Sequence, residues 1–501
     1  MTKTALDELR EVKQIDLRSV FTTDPDRLSR YVLTQGPIRF DWSKTHLSET
    51  VMDGFVDLAE ERNVAGWRDA MFAGDAVNVS EGRAAEHGAE RGEGAADSVA
   101  RARMLHGRMR ALVDAIEAEA LGPVRHILHI GIGGSALGPD LLIDALGGSG
   151  ALYDVAVVSN VDGVALERAM DRFDPGATII VVASKTFTTT ETLLNAASAV
   201  NWLVEGGVDD PFGRIVALTA DPDRAMEWGV DETRILPFSE SVGGRYSLWS
   251  SVGFAAALAL GWDDFETMLE GAAAMDRHFR LAPPRANAPM IAAFVDQYYA
   301  RVRQCQTRAV FAYDERLRLL PAYLQQLEME SNGKGVTRDG VPVEGPTAPI
   351  TWGGVGTDAQ HAVFQLLHQG TILSPVEFIA SVEPGHALDP AHHRALLTSC
   401  FAQGAALLRG RDNADDPARA YPGNRPSTTI LLDDVTPESL GALIAFYEHR
   451  TFVNAVLMEV NPFDQFGVEL GKEIARSIAE EGPKGFDPST MALIERAFGG
   501  M

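Results

Sequence analysis

Hydroxyl side chains are concentrated in one short segment of this sequence, residues 184–192. Six of its nine side chains carry a hydroxyl, and Lys185 adds a cation. Hydroxyl and ammonium groups donate hydrogen bonds, as a bound phosphate requires. Thr188 and Glu191 have the spacing of a capping box, which predicts a helix that begins here with its free amides near the hydroxyls. Because capping needs only one threonine, the segment predicts an anion site.

A glycine-rich turn, residues 131–138, is a second candidate for anion binding. Glycine lets the backbone approach a ligand closely, and the helix predicted after the turn adds a partial positive charge. The turn also satisfies the dinucleotide pattern G-x-G-x-x-A. A nicotinamide site would need an acidic residue about 20 positions on, at the end of the next strand, and that strand ends in Ser159 and Asn160. A phosphate site and a tight turn without a ligand both remain open.

Three further side chains could act on a reacting carbon or oxygen. Two glycines precede Arg245 in a turn, and a guanidinium held there could stabilise an oxyanion. Glu330 shares a face with Gln326 on a helix predicted over residues 320–331, beside apolar side chains that favour a proton-accepting role. His361, near a helix start, could serve as a general acid. Taken one at a time, an ordinary surface arginine, a solvated glutamate and a core or capping histidine are the more frequent cases.

In this order along the chain, the segments resemble the phosphoglucose isomerase family, which belongs to the sugar isomerase (SIS) superfamily. The similarity extends from about residue 72 to Lys472, and its most specific motifs are GGRYSLWS at 243–250, MESNGK at 329–334 and FDQFGVELGK at 463–472. The resemblance implies reversible isomerisation of glucose 6-phosphate and fructose 6-phosphate through a cis-enediol. It also implies an α/β fold with two doubly wound, flavodoxin-like parallel-sheet domains, and a homodimer.

The same resemblance implies a role for each site residue. Glu330 would move a proton between C1 and C2, and Arg245 would stabilise the enediolate. His361, contributed by the partner subunit, and Lys472 would open the sugar ring. The implied phosphate- and sugar-binding residues are Gly134, Ser135, Ser184, Lys185, Thr186, Thr189, Thr192, Gly244, Gln326 and Gln465. This route needs no nicotinamide, no other cofactor and no metal.

The elements that must hold these residues follow a strand and helix alternation typical of parallel sheets. The predicted strands are residues 126–130, 155–158, 178–182, 214–218, 308–312, 372–378 and 427–432. The predicted division is a helical N-terminal arm over 1–120, a first SIS-type α/β domain over 121–280, a second over 281–460, and a C-terminal loop with helices packing on the domains over 461–501. The Ala- and Glu-rich residues 85–100 carry no clear pattern.

Composition excludes several classes of protein. With 44 Lys and Arg against 70 Asp and Glu, the net charge of −26 disfavours nucleic-acid binding. Cys305 and Cys400 cannot form a disulfide framework, and no long apolar stretch predicts a membrane helix. The first 17 residues mix acids and bases without an apolar run, so we expect a cytoplasmic protein.

Three other functions compete with the family assignment. An isomerase could also act on mannose 6-phosphate, because discrimination at C2 depends on pocket shape. A non-catalytic sugar-phosphate-binding regulator of the same fold would be expected to lose the base or the cation. Glu330, Arg245, His361 and Lys472 are all present, which disfavours a regulator. A dinucleotide oxidoreductase is disfavoured further by the missing acidic residue described above.

Overall fold

A computed structural model describes residues 5–148, 151–482 and 485–498. The chain divides into one unit that ends at Pro462 and a second that begins at Phe463. The strands are β1 (Val32–Gln35), β2 (Ile38–Asp41), β3 (His126–Gly131), β4 (Asp154–Val158), β5 (Thr178–Ala183), β6 (Ile215–Thr219), β7 (Ile235–Pro237), β8 (Thr307–Tyr313), β9 (Ile350–Val355), β10 (Val376–Ser381) and β11 (Ser427–Leu432).

Helices precede, connect and follow these strands. The α-helices are α1 (Ala5–Glu11), α2 (Val20–Thr23), α3 (Arg27–Tyr31), α4 (Glu49–Glu61), α5 (Val64–Ala73), α6 (His87–Glu90), α7 (Ala96–Glu117), α8 (Leu137–Leu146), α9 (Gly163–Met170), α10 (Thr190–Glu205), α11 (Pro222–Glu227), α12 (Phe254–Leu260), α13 (Trp262–Leu281), α14 (Ala288–Gln297), α15 (Leu320–Leu324), α16 (Gly356–Gln369), α17 (Pro390–Arg409), α18 (Pro437–Leu457), α19 (Glu469–Glu481) and α20 (Pro488–Phe498). Two π-helical turns lie at Tyr298–Val302 and Gln325–Glu330.

The first sheet consists of five parallel strands in the order β4-β3-β5-β6-β7. Strand β5 is buried along its whole length, which explains its uninterrupted apolar run. From β3 the chain passes through α8 to β4 on one side, whereas β5 pairs with the other side of β3. Strand order therefore reverses between β3 and β5. Open α/β sheets bind ligands at such a switch point, beyond the carboxyl ends of the strands.

The second sheet is mixed, with the order β1-β2-β11-β10-β8-β9. Strands β8 to β11 are parallel, whereas β2 pairs antiparallel with β11 and with β1. The predicted all-helical arm is therefore wrong for residues 32–41. Ile38 and Phe40 are buried on either side of exposed Arg39, and Gly36 makes the turn at a φ of +53°. That alternation is the signal that indicates a strand.

The seven predicted strands are all present, and 427–432 agrees at both ends. The predicted strand 372–378 begins only at Val376, because Pro375 has no N–H to donate to a ladder. Strand β9 was not predicted, since its two central glycines weaken a strand pattern. One of them, Gly353, is required there, because a Cβ would lie 1.7 Å from the Val310 carbonyl oxygen.

Each sheet packs its helices around an apolar core. The core beside the first sheet includes Leu128, Ile180 and Leu203, and the core beside the second includes Phe311 and Phe378. Within the described residues, no helix is both long and apolar enough to cross a membrane. The α/β class with two largely parallel sheets is confirmed, whereas the four-part division of the chain stays a prediction.

Candidate active site

The two predicted anion-binding turns lie side by side at the switch point of the first sheet. Gly131, the last residue of β3, pairs with Ala183, the last residue of β5. The glycine turn therefore leaves one strand directly beside the hydroxyl segment that leaves the other. Because parallel strands share a carboxyl edge, two segments far apart in the sequence form one rim.

The hydroxyl turn is held together by its own side chains. Ser184 Oγ lies 3.1 Å from Thr189 Oγ1, and Thr186 Oγ1 lies 2.7 Å from Thr188 Oγ1. Helix α10 begins only at Thr190, after an N-cap threonine whose side chain makes no capping bond. The predicted capping box is therefore wrong, because the hydroxyls bond to one another instead. Hydroxyls arranged in this way can reorient to donate to a ligand.

Two groups of this turn point away from solvent. Thr192 Oγ1 is buried and has no hydrogen-bond partner in the part of the chain that the structure describes. Lys185 Nζ donates to the carbonyl oxygens of Glu240 and Val242, at 2.7 and 3.1 Å. Burial lowers the pKa of the Lys185 ammonium from 10.5 to about 8. Lys185 therefore connects the hydroxyl turn to the loop that leads into Gly243.

The glycine turn contacts the loop that carries Arg245. A Cβ on Gly134 would lie 2.2 Å from the Gly244 carbonyl carbon and 2.5 Å from the Arg245 amide nitrogen. Only glycine permits two backbones to come this close. On the other side of the turn, a Cβ on Gly133 would lie 2.9 Å from Gln326 Nε2. The first sheet's turn thus touches both of the other predicted site segments.

The base candidate lies on a π-helical turn rather than on a regular α-helix. Helix α15 passes into the π-helical turn Gln325–Glu330, a form that is often found at functional sites. Glu330 Oε2 lies 3.7 Å from Arg245 Nη1. This oxygen is buried and has no hydrogen-bond partner among the described residues. A carboxylate oxygen in this state is available to accept a proton from a ligand.

Arg245 is held by groups that the sequence analysis did not assign. Its Nε donates to Ser331 Oγ at 2.7 Å, and its Nη2 donates to the Pro462 carbonyl oxygen. Ser331 Oγ also lies 2.9 Å from the hydroxyl of Tyr246. The Arg245 side chain is only 2% exposed, so its guanidinium is preorganised. Ser331 directly follows Glu330 in the sequence, and this adjacency is the signal from which Ser331 could have been predicted as a site residue.

A buried histidine forms a hydrogen bond to the glycine turn. His129 on β3 has its Nε2 2.7 Å from the carbonyl oxygen of Ser135, so this nitrogen carries the proton and donates. Burial lowers the pKa of His129 from 6.5 to about 4, and the ring is neutral near pH 7. No role was predicted for His129, because its position within a buried strand resembles that of any core residue.

Three predicted site residues belong to other elements of the chain. His361 is exposed on α16 and does not contact Glu330 or Arg245 in the described chain. Lys472 lies on α19 and Gln465 precedes it, both in the second unit. Across the described ranges, no group of three or more His, Cys, Asp or Glu side chains is arranged to hold a metal ion. The structure therefore brings together the glycine turn, the Arg245 loop and the π-helical turn, while the roles of these residues stay predictions.

Comparison with known proteins shows which family the chain belongs to. Residues 41–494 match the family model described as phosphoglucose isomerase. The chain belongs to the phosphoglucose isomerase family. It is 71% identical over 497 residues to a glucose-6-phosphate isomerase of Rhizorhabdus wittichii, covering 99% of each chain. It is 62% identical to the glucose-6-phosphate isomerase of Zymomonas mobilis, over 96% of this chain and 95% of that one.

A solved structure of the same family has the same fold. The crystal structure of a glucose-6-phosphate isomerase from Chlamydia trachomatis superimposes with a TM-score of 0.91. The two chains are 31% identical, and the match covers 99% of this chain and 98% of the other. The two chains therefore share one fold at 31% sequence identity.

Proposed function

We propose that this protein catalyses the reversible isomerisation of glucose 6-phosphate to fructose 6-phosphate. The observation that carries the proposal is the pairing of Glu330 with Arg245. A buried carboxylate oxygen with no hydrogen-bond partner in the described chain lies 3.7 Å from a buried guanidinium. A base beside an oxyanion stabiliser is what proton transfer next to a carbonyl requires. Membership of the phosphoglucose isomerase family supports the choice of substrate.

In this proposal the switch point of the first sheet binds the substrate phosphate. Hydroxyl donors come from both turns: Ser135, Ser184, Thr186, Thr189 and Thr192. The sugar extends from there toward Gln326 and Glu330. Binding energy from the phosphate then holds the reacting carbons against the base, which favours the transition state over free substrate.

The proton transfer balances without a co-reactant. Glu330 takes the proton from C2 of the open-chain aldose, and the electron pair of that bond forms the C1–C2 double bond. The C1 carbonyl oxygen becomes the enediolate oxygen, whose charge Arg245 stabilises. Glu330 then returns the proton to C1, while the C2 hydroxyl loses its proton as the ketone forms. A proton passes from O2 to O1, and no electron leaves the sugar.

We further propose that a homodimer is the catalytic unit and that His361 reaches the site of the partner subunit. His361 is exposed on its own chain. Ile350, Leu366 and Ile372, on or near the same helix, are 58%, 45% and 55% exposed. Exposed apolar side chains close to His361 in the sequence support an interface there. Lys472 and Gln465 complete the proposed site, with Lys472 sharing ring opening with His361.

Mixing two inactive variants tests the shared site. In a mixed dimer of His361→Ala and Glu330→Gln, one site would retain both the glutamate and the partner's histidine. Re-equilibrated mixtures should regain about a quarter of wild-type activity, because half of the dimers are mixed and each has one intact site of two. If His361 acts within its own chain, the mixture stays inactive.

The activity itself is tested with purified protein and fructose 6-phosphate in excess EDTA. Glucose 6-phosphate is read through a coupled dehydrogenase, and mannose 6-phosphate is measured separately. Turnover to glucose 6-phosphate alone supports the proposal. Release of mannose 6-phosphate would broaden the substrate range, whereas binding of fructose 6-phosphate without turnover would favour a non-catalytic regulator.

We also propose that the protein works in the cytoplasm. Cys305 and Cys400 are both buried and free, and burial raises the pKa values of their thiols to about 11 and about 12. Unreactive free thiols are typical of a reducing compartment. Cell fractionation followed by immunodetection would overturn the proposal if the protein were found outside the cytoplasm.

A further inference from the structure

The π-helical turn that carries Glu330 also carries a buried carboxylate, Glu328, to which no role has been assigned. Helical positions four apart, such as Gln326 and Glu330, share a face, whereas a position between them lies on the other side. The contacts agree, because Gln326 meets the glycine turn and Glu330 meets Arg245. Glu328 meets the second sheet instead, and is only 9% exposed.

Glu328 is attached to two neighbouring strands of that sheet. Both of its carboxylate oxygens accept hydrogen bonds from Arg308 Nη2, on β8. Thr351 Oγ1, on β9, donates to Glu328 Oε2 at 2.7 Å. Arg308 and Thr351 are register partners across the two strands. The short turn is therefore fixed to the sheet at the point between its two site residues.

The buried charges around Arg308 do not require Glu328 for neutrality. Arg308 pairs with Glu377 at 3.0 Å, and Arg450 pairs with both Glu377 and Asp296, at 2.7 and 2.5 Å. These four residues already contain two guanidinium groups and two carboxylates. Glu328 adds a third carboxylate to a buried cluster, although burying a charge costs free energy. A role other than charge balance accounts for its presence.

We infer that Glu328 is a positioning residue that holds the π-helical turn so that Glu330 faces Arg245 and the sugar. This inference rests on the proposed isomerase function. Arg308 and Thr351 act with it as the fixed points on the sheet. Charge-assisted hydrogen bonds are stronger than neutral ones, which suits a contact that must limit movement of the base.

The test compares Glu328→Gln with Tyr447→Phe. Gln keeps the volume of Glu328 and leaves the cluster with two guanidinium groups and two carboxylates. The control removes a buried hydrogen bond of 2.7 Å to Glu377 in the same cluster without touching the π-helical turn. For Glu328→Gln we expect kcat to fall by about 100-fold while KM changes less than about threefold, since small misplacements of a reacting group cost this much. Tyr447→Phe should retain the wild-type kcat, although its Tm should fall by about as much as that of Glu328→Gln.

The pH dependence of kcat separates positioning from a simple charge effect. If Glu330 moves away from Arg245, the acid limb of the Glu328→Gln profile shifts to higher pH. If Glu328 acts only through its negative charge, removing that charge shifts the limb to lower pH, which would overturn the inference. Thr351→Val, which keeps all charges, should shift the limb in the same direction as Glu328→Gln, with a smaller loss of kcat.

Wild-type protein assayed in parallel distinguishes the two possible failures. If the wild type does not convert fructose 6-phosphate, the proposed function fails. If the wild type is active and both Glu328→Gln and Thr351→Val retain its kcat, only the positioning role fails. If Glu328→Gln does not fold, Thr351→Val decides alone, because it preserves the buried charge balance.

Discussion

The hydroxyl turn at residues 184–192 and the π-helical turn Gln325–Glu330 support their functional groups in opposite ways. The hydroxyl turn follows a fully buried strand, and its hydroxyls bond to one another. The π-helical turn is bound through Glu328 to a buried cluster of arginines and carboxylates. One turn presents several interchangeable donors, whereas the other holds one carboxylate in place.

This difference follows from what each turn has to do. Several donors can share an anion, so the loss or reorientation of one hydroxyl leaves others in reach. A base that takes a proton from carbon must be placed accurately, because rate depends steeply on the geometry of the reacting atoms. We therefore expect substitutions in the π-helical turn to act on kcat, and substitutions in the hydroxyl turn to act mainly on KM.

The largest effect is expected for Glu330→Gln. The amide keeps the volume but cannot accept a proton, so kcat should fall by about 10² to 10⁴-fold, the range typical of a lost general base. KM for fructose 6-phosphate should stay within a few-fold, because the phosphate contacts remain. Steady-state kinetics measure both values, and a kcat close to wild type would remove Glu330 from the role of base.

Gly134→Ala breaks the contact between the glycine turn and the Arg245 loop. The new Cβ would lie 2.2 Å from the Gly244 carbonyl carbon, so the two backbones must separate. Overpacking of this kind costs about 1 to 3 kcal/mol of stability, and kcat/KM should fall as Arg245 moves. Gly107→Ala on α7, where a Cβ meets nothing within 4 Å, is the matched control. Equal Tm and kcat/KM values for the two variants would contradict the prediction.

Ser184→Ala tests whether the hydroxyl turn binds the phosphate. A hydrogen bond to a charged group contributes about 1.5 to 3 kcal/mol. Because neighbouring hydroxyls replace part of that contribution, KM should rise by at most about tenfold while kcat changes less. Thr190→Ala is the control, because Thr190 is exposed on the same segment and has no proposed contact. A Ser184→Ala enzyme with unchanged KM would place the phosphate elsewhere.

The smallest effect concerns the pH dependence of stability through His129. The folded-state pKa of about 4 lies below the ordinary value of 6.5, so His129 stabilises the folded protein above about pH 6.5, and that contribution is lost as the pH falls toward 4. The difference corresponds to about 3 kcal/mol. His129→Gln keeps a donor for Ser135 but does not titrate. Its Tm should therefore fall less than that of the wild type between about pH 7 and about pH 4.5, as measured by calorimetry.

Part of the fold was predictable because the relevant signals are local. The apolar runs of β3, β5 and β11 end at turn residues, and the structure places strands there. The hairpin of β1 and β2 was not predicted because its strands are four residues each. Its strand β2 pairs with β11, a segment almost 400 residues away. The π-helical turn was predicted as ordinary helix, since the same side chains suit both forms.

The amino-acid sequence by itself determined which groups are available for chemistry: the glycine turn, the hydroxyl segment, Arg245 and Glu330, each recognisable from residue type and close spacing. Tertiary structure alone decided which of these groups lie in contact with one another. Gly134 touches Gly244, and Arg245 lies 3.7 Å from Glu330, because strand order reverses between β3 and β5 and a buried ion cluster holds the second sheet's turn. Contacts of this kind join residues far apart in the chain, and their distances depend on packing that no local pattern specifies.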